Sequence, residues 1–326
     1  MIILTRAEVA HLLDMSDCID AVERAFIQHA RGELPTAPGI LGAPVSGGGY
    51  HVKTAALGGE RGYFAAKINA NFPDNYKTRG LPTIQGVIAL FDLLSGRPLA
   101  ILDSIEITIL RTAAASAVAA RLLALAEART VTIYGCGVQG RSHLRALALV
   151  RPLSHAYAID LDNERAASFA KDLSVELGIR ITPNERLDSA IAASEICVTC
   201  TPSRQPILHA RMLHPGLFVA AVGADNPEKQ EIAPAALAKS KVVVDLLDQA
   251  ASIGDLHHAI DAGVMHTSDV HAELGQVLAG LRPGRTSADE TFVFDSTGTA
   301  LQDVAAAAVV YERAKGAGCG TTMELT

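Results

Sequence analysis

Residues 131–140, with the sequence VTIYGCGVQG, constrain the fold of this chain more than any other stretch. A β-branched and aromatic run here ends in Gly135, Gly137 and Gly140, which have the spacing G-x-G-x-x-G. After a buried strand, such a turn lets a pyrophosphate approach the backbone and the N-terminal N–H groups of the next helix. The pattern therefore predicts a strand, a tight turn and a helix that bind a dinucleotide, with a ligand-free turn as the alternative.

Asp160 ends the next apolar run, His155–Ile159, roughly 20 positions after Gly140, which is the expected distance for the acidic residue of a dinucleotide site. A carboxylate there accepts hydrogen bonds from the adenosine ribose and repels a 2′-phosphate. No Arg follows at once, because the next residues are Leu161, Asp162 and Asn163. We therefore predict NAD as the cofactor and expect NADP to be less favoured.

From Val131 onward, strands alternate with helices, which predicts an α/β domain with a parallel, doubly wound sheet of the Rossmann type. The predicted strands are 131–135, 155–159, 179–182, 195–200, 217–223, 241–245 and 291–295. Ligands of such sheets bind beyond the carboxyl ends of the strands. The loop 223–229 follows one strand end and contains Asp225, which is either a carboxylate at the cofactor crevice or a helix cap or turn residue.

The first third of the chain predicts a separate α+β domain. A capping-box pattern at residues 5–8 and apolar periodicity at 17–31 indicate that the chain begins with helices. Residues 34–49 are rich in Pro and Gly and predict loops and turns, with any strand short. Strands are expected at 50–56, 63–72, 86–92 and 98–103, and they form an antiparallel sheet that cannot belong to the parallel one.

Three basic residues of this first region are candidates for binding an anion. In the strand 63–72, apolar side chains alternate with Lys67 and two Asn, so we expect the apolar face in the core and the Lys67 face to be solvated or functional. Arg111 lies in an Ala-rich helix predicted at 104–128 and makes either an interdomain salt bridge or an anion contact. Lys53 shares a strand face with His51 and is either a pocket residue or a surface lysine.

Composition excludes several classes of protein. The chain has 326 residues, of which 49% are hydrophobic and 19% charged, enough for two cores. The net charge of −7 comes without a basic stripe, so nucleic acid is not an expected partner. No apolar run reaches the roughly 18 residues of a membrane helix, and residues 1–6 lack a signal pattern, so we expect a cytoplasmic protein without a membrane partner. Five scattered cysteines indicate neither a disulfide framework nor a metal site.

With these motifs, the chain resembles the ornithine cyclodeaminase and mu-crystallin family over essentially its whole length. The matching stretches are Lys67 with 73–75, 110–117, 135–139, 221–225 with Pro227 and Lys229, 272–275 and 294–298. The family comprises two-domain, usually homodimeric proteins that use NAD or NADP, and it includes ornithine cyclodeaminases, alanine dehydrogenases and imino-acid reductases. The resemblance implies domains at 1–112 with 300–326, for substrate binding and dimerisation, and at 113–299, for NAD binding.

The resemblance also implies roles for particular residues. Lys67 and Arg111 are similar to the residues that bind the substrate carboxylate and exchange protons, and Asp225 is similar to the catalytic carboxylate. The implied cofactor contacts are Thr83, Thr112, Gly135, Gly137, Val138, Gln139, Gly140, Asp160, Thr201, Val222, Lys229 and Ser296. The chain departs from the family in two places: an Arg is missing from the early loop around Gly39, and residues 51–53 lack the acid of cyclodeaminases.

The function that this resemblance implies is hydride transfer between nicotinamide and the α-carbon of an amino acid, through an imine. We therefore predict an NAD-dependent amino-acid dehydrogenase or imine reductase that acts on a small amino or imino acid. Ornithine cyclodeaminase is the alternative enzyme, and a non-catalytic nicotinamide or small-ligand binder is the alternative of another class. If Lys53 joins Lys67 and Arg111 in the pocket, the substrate is neutral or acidic beyond its α-carboxylate. The open edge of the antiparallel sheet predicts a homodimer.

Overall fold

The computed structural model divides the chain into two compact units. Unit 1 comprises Met1–Arg111 and Thr299–Thr326, and unit 2 comprises Thr112–Gly298. The structure describes residues 1–184 and 186–325. Glu185, in the predicted NAD-binding domain, and Thr326, in the predicted substrate-binding domain, lie outside the described residues. The roles predicted for domains 1–112 with 300–326 and 113–299 stay predictions.

Both units contain helices as well as strands. The strands are β1 (Ile2–Leu4), β2 (Gly39–Val45), β3 (Gly48–Leu57), β4 (Tyr63–Asn71), β5 (Ile84–Asp92), β6 (Pro98–Asp103), β7 (Thr130–Tyr134), β8 (His155–Ile159), β9 (Arg180–Pro183), β10 (Ile196–Thr199), β11 (Arg204–Leu208), β12 (Phe218–Ala221), β13 (Gln230–Ile232), β14 (Lys241–Val244), β15 (Ala272–Glu273), β16 (Phe292–Asp295) and β17 (Thr321–Thr322). The helices are α1 (Arg6–Leu12), α2 (Met15–Ala30), α3 (Asn75–Arg79), α4 (Ile105–Leu123), α5 (Val138–Val150), α6 (Asn163–Leu177), α7 (Leu187–Ala192), α8 (Pro234–Leu237), α9 (Leu247–Ile253), α10 (Asp255–Asp261), α11 (Leu274–Leu278) and α12 (Ala300–Ala317).

Unit 1 is built on a mixed sheet. Within residues 1–184 and 186–325, this sheet has seven strands in the order β17-β1-β6-β5-β4-β3-β2. Strands β2 to β6 pair antiparallel with one another in chain order, while β1 pairs parallel with β6. Helix α12 packs against α2 and against the central strands β3, β4 and β5. The predicted antiparallel strands are therefore present, and β1 adds one parallel pair beside β6.

Two expectations for unit 1 are wrong. The chain begins with strand β1 rather than a helix, because Ile2–Leu4 pairs with residues 100–102, and a pairing over that distance leaves no local signal. Residues 34–49 were expected to be loops and turns, but they contain the seven-residue strand β2. Because β2 lies at the edge of the sheet, Pro44 is tolerated there.

The buried face of β4 also differs from the expected one. We expected the apolar face that includes Ile68 to be the core, yet Ile68 is 45% exposed and Lys67 is 3% exposed. Helix α12 covers the Lys67 face, since its Asp303 contacts the Lys67 ammonium. On the opposite face, four apolar side chains form one row across β2 to β5. They are Leu41, Val52, Ile68 and Val87, in cross-strand register.

Unit 2 confirms the predicted doubly wound fold. In the described part of the chain, its main sheet has eight strands, all parallel, in the order β15-β14-β16-β12-β10-β7-β8-β9. The seven strands predicted from the sequence are present within a few residues of their expected bounds, and the two-residue β15 is additional. The direction of strand addition reverses between β7 and β10. The loops after these two strands therefore meet at the switch point, where such sheets bind ligands.

Candidate functional site

The three glycines after β7 form the turn that their spacing predicts. Gly135 has φ +107°, a conformation that L side chains rarely adopt, and a Cβ there would lie 2.8 Å from the Cys200 carbonyl oxygen. At Gly140, a Cβ would lie 2.1 Å from the Gly135 carbonyl oxygen, so the glycine lets α5 pack closely on the turn. Gly137 is the N-cap of α5, and apart from its own chain neighbours no described residue lies within 4 Å of where its Cβ would be. A pyrophosphate therefore has room at the start of this helix.

A cavity of about 670 Å³ lies at this turn, entirely within unit 2. It is lined by Tyr134, Gly135, Gly137, Asp160, Leu161, Asp162, Arg165, Cys200, Thr201, Pro202, Ser203 and Ile207. The Asp160 carboxylate accepts hydrogen bonds from the backbone N–H groups of Cys136, at 2.8 Å, and Asp162, at 3.0 Å. These bonds fix the carboxylate at the cavity wall, as a ribose-binding acid requires.

Arg165 is a cavity residue that the sequence interpretation missed. Its guanidinium lies 3.3 Å from Asp160 Oδ1 and 3.4 Å from Asp162 Oδ2, and its side chain is 54% exposed. Leu161, Asp162 and Asn163 directly follow Asp160 and include no Arg, whereas Arg165 returns to the cavity from the first turn of α6. A cation therefore stands beside the carboxylate that was predicted to repel a 2′-phosphate.

Other predicted cofactor contacts contain polar atoms that lack a protein partner. Among the described residues, Gln139 Oε1 and Ser296 Oγ are buried without a hydrogen bond. Buried polar atoms are nearly always satisfied, so such orphans indicate a missing ligand or water. Val222 and Thr112 are also buried, Val138 is exposed at the start of α5, and Thr83 lies in an exposed loop of unit 1. The residues of unit 2 thus fit a dinucleotide such as NAD.

A buried cluster of charges lies in unit 1, under helix α12. The Lys67 ammonium on β4 is 2.8 Å from Asp303 Oδ1 and 2.7 Å from Asp303 Oδ2. Arg111 on α4 donates from Nε to Asp303 Oδ1, at 3.0 Å, and from Nη1 to Gln302 Oε1, at 2.7 Å. Each of these residues is at most 5% exposed. Arg111 therefore forms a salt bridge within unit 1, and not the interdomain bridge that was one of its predicted roles.

Lys53 adds a third cation to this cluster. It is buried on β3 directly opposite Lys67 in the antiparallel register. Burial lowers the pKa of Lys67 to about 7, and the positive charges of Arg111 and Lys53 act in the same direction against Asp303. Burial alone would raise the pKa of Asp303, but Lys67 and Arg111 hold that pKa below its usual range. Three basic side chains thus lie in one cluster with a single carboxylate, which favours binding a further anion.

The structure places Lys53, Lys67 and Arg111 in one cluster of unit 1 and adds two residues to it, while the substrate-binding role of the three stays a prediction. Asp303 and Gln302 were missed, although Asp303 is the one acid in the first turn of a helix that is otherwise rich in Ala, Val and Leu. An isolated acid on such a buried helix face is a signal for a buried ion pair. The sequence alone does not reveal this ion pair, because the partners of Asp303 lie far away along the chain.

Asp225, the predicted catalytic carboxylate, lies in unit 2, in the loop after β12. Its Oδ1 is 2.7 Å from the ammonium of Lys229, and the Asp225 side chain is half exposed. Its own N–H donates to the carbonyl oxygen of Gly223, whereas the next helix, α8, begins at Pro234. Asp225 is therefore not the N-cap of that helix, and its carboxylate stays accessible beside a cation.

Further features of the described residues concern metal sites, membrane helices and disulfides. No group of three or more His, Cys, Asp or Glu in 1–184 and 186–325 is arranged to hold a metal ion. Over the same ranges, no helix combines the length and apolarity needed to cross a bilayer. The five cysteines are free thiols.

The sequence model of the ornithine cyclodeaminase/mu-crystallin family matches residues 1–318 of this chain. The chain belongs to this family. The resemblance inferred from the motifs is thereby confirmed. Among curated relatives, the alanine dehydrogenase of Archaeoglobus fulgidus is 36% identical over 99% of this chain and 98% of its own.

Solved structures of family members match over the full fold. An archaeal alanine dehydrogenase dimer with bound NAD has a TM-score of 0.95 and 36% identity, covering 100% of this chain and 99% of its own. The pyrroline-2-carboxylate reductase of Thermococcus litoralis, with NADH and L-proline, has a TM-score of 0.91 and 30% identity, covering 99% and 100%. The iminosuccinate reductase of Paracoccus denitrificans, with NAD⁺, has a TM-score of 0.90 and 32% identity, covering 100% and 99%. These neighbours are NAD or NADH complexes, which supports NAD binding by this chain.

Proposed function

We propose that this protein is an NAD-dependent amino-acid dehydrogenase or imine reductase. The observation that carries the proposal is the buried cluster of Lys67, Arg111 and Asp303. Buried ion pairs are often neutral or unfavourable for stability compared with apolar packing, so an excess of buried cations is better explained by an anionic substrate. The dinucleotide turn of unit 2 and the NAD complexes of the neighbours support the redox part of the proposal.

The proposed roles follow from the chemistry of each residue. NADH, held by the residues of unit 2, would supply the hydride that reduces the α-carbon of the imine. Arg111, together with Lys67, holds the substrate α-carboxylate through charge-assisted hydrogen bonds. Lys67, whose pKa is lowered to about 7, changes its protonation near neutral pH and keeps the imine nitrogen protonated during reduction. In the oxidising direction, Asp225 takes a proton from the amine or from the attacking water.

The proposed cofactor contacts are the twelve residues predicted from the glycine motif and the resemblance. Gly135, Gly137, Val138, Gln139 and Gly140 form the turn that receives the pyrophosphate, and Asp160 receives the adenosine ribose. The others are Thr83, Thr112, Thr201, Val222, Lys229 and Ser296. In this proposal unit 2 binds NAD and unit 1 binds the substrate, and the cytoplasmic location stays a prediction from the sequence.

A screen of NADH oxidation tests the function. The substrates are α-keto acids with ammonia or methylamine, and cyclic imino acids. We expect NADH to be consumed with at least one of them. A protein that binds NADH but oxidises it with none would be a binding module, and conversion of ornithine to proline without net redox would identify a cyclodeaminase instead.

We expect the protein to prefer NADH to NADPH in kcat/KM, because Asp160 occupies the place of the ribose-binding acid. Replacing Asp160 with Ser removes the carboxylate and leaves Arg165 to pair with a 2′-phosphate. The NADH/NADPH ratio should then fall about ten- to hundredfold, as expected from the loss of one charge-assisted contact. Asp188→Ser, at an exposed Asp of α7, is the matched control. A wild-type protein with higher kcat/KM for NADPH would contradict the prediction.

We also propose that unit 1 forms a homodimer through the exposed face of its sheet. The row of Leu41, Val52, Ile68 and Val87 makes a continuous apolar stripe across four strands, of the kind that a second copy covers. Light scattering should give twice the chain mass of 34.1 kDa. Ile68→Lys should give the single-chain mass, whereas Leu94→Lys, at a 90% exposed turn residue, should not. A wild-type mass of 34.1 kDa at micromolar concentration would rule out the dimer.

The Lys53 position predicts the substrate class. In this proposal a second substrate carboxylate pairs with Lys53, which lies opposite Lys67 in the register of β3 and β4. Lys53→Met should raise KM for a dicarboxylic imino acid by about one to two decades, given about 1.5–3 kcal/mol for a charge-assisted hydrogen bond. The imino acid derived from alanine, tested with the same variant, is the control and should change little. An unchanged KM for both, or efficient turnover of ornithine, would show that Lys53 does not bind a second carboxylate.

A further inference from the structure

One buried carboxylate joins the two loops that end β10 and β12 in unit 2. We infer that Glu231 is a positioning residue that holds the wall of the NAD site in its binding geometry before the cofactor arrives. The inference rests on the proposed function, because it assigns a ligand to the cavity at the switch point. Neither the glycine motif nor the resemblance pointed to this residue.

The geometry of the contact is specific. Glu231 is fully buried on β13, and its Oε1 accepts hydrogen bonds from both the N–H and the Oγ1 of Thr201, each at 2.7 Å. Its Oε2 accepts the N–H of Gly223, also at 2.7 Å. Thr201 follows β10 and Gly223 follows β12, and these two strands are neighbours in the parallel sheet. A single side chain therefore fixes the spacing between two strand ends at the ligand-binding edge.

The surroundings keep this carboxylate in place. The N–H groups of Glu231 and Ile232 both donate to Asp255 Oδ1, at 2.8 and 2.9 Å, so the backbone that carries Glu231 is held as well. At Gly223, a Cβ would lie 2.5 Å from Glu231 Cδ and 2.3 Å from the Thr201 carbonyl oxygen. Glycine at this position thus makes room for the carboxylate between the two loops.

The ligand cavity connects this arrangement to cofactor binding. Thr201, Pro202 and Ser203 line the cavity that Gly135 and Asp160 line on the other side. A loop that is already ordered loses less conformational entropy when the ligand binds, and the affinity is correspondingly higher. Glu231 is not one of the described residues that line the cavity. It therefore acts through Thr201 and not by contact with the ligand.

Replacing Glu231 with Gln tests the inference, because the amide NH₂ would face an N–H donor of Thr201 or Gly223. We expect the dissociation constant of NADH, measured by fluorescence titration, to rise about tenfold or more. The value of kcat at saturating NADH should change less than about threefold, because the reacting groups are untouched. Glu228→Gln, at an exposed Glu that pairs with Arg204, is the matched control and should leave both quantities unchanged.

Hydrogen–deuterium exchange of the unmodified protein provides a second test that does not depend on the variant folding. We expect the amides of Thr201 and Gly223 to be protected equally with and without NADH. Protection that develops only when NADH is added would overturn the inference, as would a folded E231Q protein with a lower Tm but unchanged NADH affinity. If the unmodified protein does not bind NADH at all, the proposed function fails, and the two failures are thus distinguishable.

Discussion

Lys67→Met is expected to lower kcat/KM for the imino substrate by about a thousandfold, because the change removes both a carboxylate contact and a proton donor, and general acid catalysis alone contributes about 10²–10⁴. The variant should fold, since Asp303 keeps its bonds with Arg111 and a buried cation is replaced by an apolar side chain of similar length. The measurement is NADH oxidation at fixed pH, with Tm as the check on folding. Lys171→Met, at an exposed lysine of α6, is the control. Activity within tenfold of the unmodified protein would contradict the assignment.

The pH dependence of the reductive reaction distinguishes the role of Lys67 as a proton donor from its role as a positive charge. Because the pKa of Lys67 is lowered to about 7, its protonated form disappears as the pH rises through 7. The reductive kcat/KM, which requires the protonated form, should therefore fall above about pH 7. Lys67→Arg keeps a positive charge at all these pH values and should flatten this limb while retaining weakened substrate binding. An identical descending limb in Lys67→Arg would assign the titration to another group.

The local patterns predicted the fold of unit 2 well. The strand, turn and helix around Gly135 and the position of Asp160 depend on contacts within a few tens of residues, and each leaves a periodic or punctuated signal. In unit 1, β1 and β2 were missed because their strand character comes from pairing with neighbours, and Gly and Pro in β2 argue locally for a loop. Alternation at Ile68 correctly separated two faces, but alternation does not say which face another element covers.

Only part of the candidate site could be predicted, because contacts between residues far apart in the chain leave no local pattern. Lys67 and Arg111 were found because charged residues stand out against Ala-rich and apolar neighbours. Asp303 lies 236 positions after Lys67, and Glu231 lies 30 positions after Thr201, so the tertiary structure alone brings these partners together. Residues that act by positioning others carry no motif of their own. Their roles become visible from burial and hydrogen bonding.

Asp303→Asn is expected to have the largest combined effect on stability and activity. The variant keeps the shape of the side chain but removes the negative charge that faces two buried cations, Lys67 and Arg111. Leaving such a charge without its partner costs about 3–5 kcal/mol. Since Asp303 is the group that raises the pKa of Lys67 against burial, Lys67 should lose its proton at a lower pH in the variant and relieve part of this cost, at about 1.4 kcal/mol for each pKa unit.

Two measurements should therefore move together in Asp303→Asn. The descending limb of the reductive kcat/KM should shift below pH 7, so that activity at pH 7 falls about a hundredfold or more, and the free energy of unfolding should fall by a few kcal/mol, about 3. Asp248→Asn, at an exposed Asp in the first turn of α9, is the matched control and should change stability by less than about 0.5 kcal/mol. If Asp303→Asn lost stability but kept the wild-type pH profile, Asp303 would be a structural residue that does not set the proton affinity of Lys67. The charges of Lys67 and Arg111 without their carboxylate partner would then account for the stability loss, and Arg111 cannot relieve its charge by deprotonation.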